Sequence, residues 1–176
     1  MNRIKNWIFF LCGIGLMIFL DQLTKMIAVT KLKGQKPVPL IPGVFEFSYT
    51  ENHGAAFSSF QGKGLALVCV TVLVLVFILY KYAAIPSDRR MLPIRICFAM
   101  IVAGAIGNMI DRIANRYVVD FLYFKLINFP VFNVADCYVC IAVFLFAIFA
   151  FFFYKEEEID FLFHLKNQVA QKEDNK

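Results

Sequence analysis

With 176 residues, 60% of them hydrophobic and only 18% charged, the chain is too apolar for a water-soluble domain, where about 25% of residues are charged. Its 21 phenylalanines exceed what one soluble core of this length needs, and its mean hydropathy is +0.67. The net charge of +5 is of the size that membrane proteins gather in their loops, so it calls for no polyanionic partner. Soluble enzymes, nucleic-acid binders and disulfide-rich secreted modules are excluded, and one integral membrane domain over residues 1–176 is expected.

A hydrocarbon core takes about 20 helical residues to cross. The first stretch that fits runs over about 7–30 and is interrupted by Asp21 and Lys25. Arg3, Lys5 and the apolar run that follows resemble a secretory signal. However, Asp21-Gln22-Leu23 follows where small residues would be needed for cleavage, so the segment reads as an uncleaved first span. The polar stretch 31–63 comes next, punctuated by Pro37, Pro39 and Pro42-Gly43. In it Phe45, Phe47 and Tyr49 alternate with Glu46, Ser48 and Thr50, which predicts a half-buried strand ending at the turn Asn52-His53-Gly54. A small sheet on the membrane surface, within about 37–63, fits this pattern.

The second span covers about 64–84, with Lys81 placed to snorkel at its end, and the third about 94–113. In the third, Ala99, Ala103 and Gly107 form a small-residue stripe leading to Asp111, and Gly104 leads to Asn108. The fourth covers about 133–154, with Asn133 as candidate helix cap and Asp136 one turn inside. Its phenylalanine-rich run from Phe144 to Phe153 reads as lipid-facing. In the tail, 155–176, Ile159, Leu162, Phe163 and Leu165 suggest a short interfacial helix. Orientation by charge is a lean only: Lys and Arg number 10 on the side of the termini and 8 on the other.

Alternating span direction brings Asp21, Asp111, Asp120, Asp136 and Asn52 to one membrane surface. Ionisable groups at that depth are costly and usually functional. Lys25 follows Asp21 by four residues and Arg112 adjoins Asp111, so those two carboxylates read as ion-paired and structural. Asp120 and Asp136 lack an obvious cation, although Arg116 would lie one turn from Asp120 in a helix. Two carboxyls brought together without a cation cannot both ionise easily, so one keeps a proton and the pair supplies an acid and a base. The residues alone also admit helix-to-helix hydrogen-bond anchors or ligands along an ion path. Cys12, Cys69, Cys97, Cys137 and Cys140 all fall in spans and read as small buried hydrophobes; no metal site is expected. His53 reads as a surface residue.

Five blocks now stand in order: Asp21-Gln22-Leu23-Thr24-Lys25, Asn52-His53-Gly54-Ala55-Ala56-Phe57, Gly104 through Arg112, Val118-Val119-Asp120-Phe121, and Phe132-Asn133-Val134-Ala135-Asp136. Together they resemble the bacterial lipoprotein signal peptidases (signal peptidase II). The resemblance implies a mainly α membrane protein, a four-transmembrane-helix bundle with a small extramembrane β-sheet on the periplasmic side. Both termini would be cytoplasmic, in the inner membrane. It implies an aspartic endopeptidase that removes the signal peptide from diacylglyceryl-modified prolipoproteins, cutting just before the lipid-modified cysteine. Asp120 and Asp136 would be catalytic. Asp21, Lys25, Asn52, Gly54, Gly104, Gly107, Asn108, Asp111, Arg112, Asn133 and Ala135 would support the site or bind substrate. No cofactor, metal or nucleic acid is implied; the partners are prolipoproteins and the lipid bilayer, and a monomer is favoured. Cys137 departs from the family, which usually has a small hydroxyl residue after the second aspartate. The segment from Asn52 to Gly64, with Gly54, Gly62 and Gly64, is the expected gate for substrate. The other classes in play are a small transport or channel subunit, opposed by the crowding of acids at one surface, and an inactive scaffold that binds lipidated proteins.

Overall fold

The computed structural model describes residues 3–54 and 64–163. The chain runs α1 (Arg3–Leu32), β1 (Val38–Ile41), β2 (Phe45–Asn52), α2 (Gly64–Ala84), α3 (Leu92–Asn115), β3 (Val118–Phe124), α4 (Val134–Ile148) and α5 (Glu156–Phe163). A π-helical turn, Phe149–Phe153, extends α4, and α1 to α4 are long and apolar enough to cross a membrane.

Helix α3 is the centre of the bundle and packs against α1, α2 and α4. Its small residues permit this: Ala99, Ala103, Gly104 and Gly107 are buried, so neighbouring backbones approach closely. Phe10, Ile14, Leu75, Tyr82, Phe98 and Val102 fill the apolar core around it. The opposite faces carry exposed Leu65, Phe77, Phe144, Phe151 and Phe152, as lipid contact requires, while Phe146 and Phe149 turn inward. Cys12, Cys69 and Cys140 lie on those exposed faces and only Cys97 is fully buried, because an apolar thiol facing lipid needs no protein cover. Lys81 also departs from expectation. It is buried, its ammonium 5.7 Å from the centre of the Phe77 ring, since the end of α2 is enclosed by α3 and α5 instead of ending free at an interface.

The three strands form an antiparallel sheet in the order β1-β2-β3. It extends what the sequence predicts, since β3 lies where only a connection is expected. Val118, Val119, Asp120 and Phe121 are all buried, so this strand is covered on both faces and shows no alternation to read. Val119 and Phe121 pack with Ala28 of α1, which seats the sheet on the end of the first helix. Lys33 fastens it further through Glu51 (2.8 Å), which also accepts from the Tyr49 hydroxyl (3.0 Å). Between α3 and β3 the chain turns at Arg116, whose φ of 67° ends the helix. Arg116 therefore stands outside any helical turn with Asp120.

At the other end of the bundle α5 is latched to the start of α3. Arg90 donates to both carboxylate oxygens of Glu158 (2.5 and 2.9 Å), and the Tyr154 hydroxyl donates to the Arg90 carbonyl (2.6 Å). Ile159 is buried in the bundle core, so this short helix packs on protein as well as facing outward; Leu165 lies outside the described residues.

A Cβ on Gly104 would stand 2.5 Å from the Ala135 carbonyl oxygen and 2.7 Å from Val139, whereas one on Gly13 would meet nothing within 4 Å. Gly104→Ala should destabilise the fold by about 1–3 kcal/mol, as overpacking does. Gly13→Ala, with the same gain in helix propensity, should leave stability unchanged or raised. Thermal unfolding in detergent compares the two.

Candidate active site

The polar site lies where α1, α3 and α4 meet the sheet, and it is built from a buried lysine outward. Asp21 and Lys25 are one turn apart on α1 and are 0% and 3% exposed. The Lys25 ammonium donates to Asp21 Oδ2 (2.9 Å), Asp111 Oδ2 (3.1 Å) and Asn108 Oδ1 (3.0 Å), which uses all three of its protons. Asp111 thus takes its cation from α1, and the adjacent Arg112 points elsewhere, to the carbonyls of Asn108 and Gly54 (both 3.4 Å). This differs from the pairing that adjacency suggests, because neighbouring residues on a helix face different directions.

Asp21 and Asp111 also tie elements together. Asp21 Oδ1 accepts from the Ala135 backbone N–H (2.9 Å) at the start of α4, and Asp111 Oδ2 accepts from Val119 N–H (3.1 Å) on β3. Gln22 connects the two carboxylates. Its amide reaches Asp21 Oδ2 (3.2 Å), Asp111 Oδ1 (3.1 Å) and the Gly107 carbonyl (3.2 Å). Gln22 is absent from the residues singled out in the sequence; its place immediately after Asp21 in the first block was the available signal. Gly107 is required by closeness, since a Cβ there would lie 2.6 Å from Asp21 Oδ2.

Because an ammonium can only donate, Lys25 fixes the Asn108 oxygen toward itself and its amide nitrogen toward Asp136 Oδ1 (2.8 Å). Asn133 then must present its nitrogen to Asn108 Oδ1 (3.1 Å), and the same nitrogen donates to Asp120 Oδ1 (2.6 Å). Asn133 is also the cap of α4. Its side-chain oxygen accepts from Asp136 N–H (3.1 Å), and its own N–H donates to Asp136 Oδ2 (3.2 Å). One buried asparagine therefore touches both Asp120 and Asp136. The second oxygen of Asp120 accepts from Asn52 Nδ2 (2.9 Å), and Asn52 Oδ1 accepts from Gly54 N–H (3.0 Å), forming the turn after β2. Asp120 sits opposite Thr50 and Asn52 opposite Val118 on the β2–β3 ladder, so strand register sets that contact.

Asp120 is 2% exposed. Burial pushes its carboxyl up to about 6; the amide hydrogen bond from Asn52 opposes this, and the nearby charge of Asp136 adds to it. Asp136, half-buried at the start of α4, is joined to it through the Asn133 amide. Cys137, next along α4, is half-buried, and His53 is exposed with its ring against Tyr117. Among the described residues no group of three or more His, Cys, Asp or Glu could hold a metal ion. The expected gate lies mostly at 55–63, outside the described residues.

Membrane-length helices, a sheet at one end and, between them, a buried carboxyl and a half-buried one joined through Asn133 are the build of an integral-membrane aspartic peptidase. Residues 14–152 match the family described as Signal peptidase (SPase) II, and the chain belongs to that family. It is 40% identical over 135 residues to the lipoprotein signal peptidase of Clostridium novyi, covering 75% of this chain and 90% of that protein. It is 42% identical over 145 residues to that of Microcystis aeruginosa, covering 81% and 90%. A bacterial membrane enzyme solved by the in meso method at 1.9 Å superposes with a TM-score of 0.71 at 28% identity, covering 82% of this chain and 94% of that one. The activity of the family is removal of signal peptides from prolipoproteins, and this chain is such a multi-pass bacterial membrane peptidase.

Lys25→Met would leave Asp21 and Asp111 buried without a cation, and should cost about 3–5 kcal/mol of stability. A second effect depends on pH. The Asp120 carboxyl titrates near 6 in the fold against 3.8 in the open chain, so protonation favours the folded state. Its contribution is complete below 3.8 and is lost as pH rises through 6, a change of about 3 kcal/mol. Asp120→Asn removes that dependence. The unfolding temperature of the variant relative to wild type should therefore rise between pH 4 and pH 7, whatever constant offset the substitution adds.

Proposed function

We propose that Asp120 and Asp136 are the catalytic pair. The observation that carries this reading is Asn133, whose amide donates to Asp120 and whose cap holds Asp136, while burial raises the Asp120 carboxyl toward neutrality. The ionised member takes a proton from water as the oxygen attacks the scissile carbonyl. The protonated member donates to the carbonyl oxygen, giving a tetrahedral diol. Collapse of the diol breaks the C–N bond: the proton gained by the first carboxyl passes to the leaving amine, and the second carboxyl takes back a proton from a diol hydroxyl, which restores the pair. The proton belongs to the pair, not to one residue. Asp21, Lys25, Asn108, Asp111 and Asn133 position the pair; Gly104, Gly107 and Ala135 let α1, α3 and α4 approach. Asn52, Gly54 and Arg112 form the rim on the sheet side.

The substrate we assign is a prolipoprotein carrying diacylglyceryl on its future N-terminal cysteine, cut just before that cysteine. The lipid anchor suits a pair of acids at the end of membrane-length helices, since it holds the peptide at that depth. With both termini cytoplasmic, as the 10-to-8 distribution of Lys and Arg favours, the site faces the periplasm. One copy of the chain supplies every group named here, which supports a monomer.

Asp120→Asn and Asp136→Asn should each abolish cleavage of a lipidated preprotein in a gel-shift assay while the protein still inserts and folds. Processing by either variant at near wild-type rate would refute the assignment.

A further inference from the structure

At the end of the bundle opposite the carboxyl pair, the start of α1, the end of α2 and the start of α3 enclose a niche. Arg3, Asn6, Tyr82, Ser87 and Arg95 line it. It is open on one side, and the free space within is about 10 Å³, enough for one oxygen-sized group. Asn6 is 5% exposed, yet neither its Nδ2 nor its Oδ1 has a partner among the described residues. The Tyr82 hydroxyl donates to the Asn6 backbone carbonyl (3.2 Å) and leaves the side chain untouched. A buried amide without partners costs free energy and calls for an explanation.

The cations beside it are also underused. Arg3 gives one bond to the Ala83 carbonyl (2.6 Å), and Arg95 one to the Asp88 carbonyl (3.1 Å) and one to the Pro86 carbonyl. A guanidinium offers five donors. No carboxylate forms an ion pair with either arginine among the described residues, and the Asp88 carboxylate accepts instead from Met91 N–H (3.0 Å). Two guanidinium groups and an amide lacking both a donor and an acceptor ask for an anion that also carries a donor.

We infer that this niche binds the phosphate of an anionic phospholipid headgroup. One headgroup hydroxyl fills the space beside Asn6, accepting from Nδ2 and donating to Oδ1, while the phosphate oxygens at the open side accept from Arg3 and Arg95. Free phosphate shares this chemistry, but the ends of membrane-spanning helices meet lipid phosphodiesters at far higher local concentration. The site is separate from the carboxyl pair and does not depend on the catalytic assignment.

The test uses the full chain in detergent micelles doped with phosphatidylglycerol, with phosphatidylcholine, or with inorganic phosphate at matched ionic strength. Thermal unfolding and lipid retained in native mass spectrometry are read. Phosphatidylglycerol should raise the unfolding temperature of wild type by several degrees where phosphatidylcholine, neutral and lacking a hydroxyl, does not. Arg3→Gln and Asn6→Leu should retain at least fivefold less phosphatidylglycerol while cleaving prolipoprotein at the wild-type rate. Arg3 is exposed, so its variant carries the test should Asn6→Leu misfold. An equal rise with inorganic phosphate supports the phosphate site and overturns lipid as its source. No rise, or undiminished retention in a folded variant, overturns the site altogether.

Discussion

The Lys25 ammonium is buried among three oxygens, from Asp21, Asp111 and Asn108, with no proton to spare. An isolated cation at this depth would be prohibitively costly, so it persists only because α1 and α3 bring those oxygens within about 3 Å of it. Its consequence reaches beyond the ion pairs. Because it can only donate, it orients Asn108, and Asn108 orients Asn133. The last amide in that chain faces Asp120 with a donor at 2.6 Å. The polarity around two carboxyls is thus set by a charge in contact with neither.

The helices are packed to hold this network close. Gly104 meets the backbone of α4 and Gly107 meets the Asp21 carboxylate, both at distances where a methyl group would collide. The start of α4 would otherwise leave backbone N–H groups unpaired in a buried setting. Asp21 takes that of Ala135, and the Asn133 side chain takes that of Asp136. Capping the helix and placing the site are therefore one and the same set of hydrogen bonds.

How much of this the sequence discloses depends on the physics of each part. The spans and the convergence of Asp21, Asp111, Asp120 and Asp136 at one end follow from hydropathy and alternating direction, and strand β2 from its alternation. Strand β3 escapes because Val118 through Phe121 are buried on both faces, which erases the period of two. The partner of Asp111 escapes for a different reason: adjacency in sequence suggests Arg112, whereas the cation comes from another helix. Gln22 shows only through its place after Asp21, since an uncharged amide gains its importance from the Asp111 carboxylate that α3 brings to it. Lys81 reverses the usual reading of a terminal lysine because α3 and α5 close over the end of α2.

Asp120 rides on a strand and Asp136 on a helix, and the two elements belong to differently built halves of the molecule. Asn52, which holds Asp120 from the far side, rides on the neighbouring strand. A tilt of the sheet against the bundle therefore carries Asp120 and Asn52 together and strains the single link to Asn133. The molecule is in this sense assembled from two platforms, and the bond between Asp120 and Asn133 is a gauge of how well they are docked. A molecule wedged between the platforms would part that bond without touching either carboxyl.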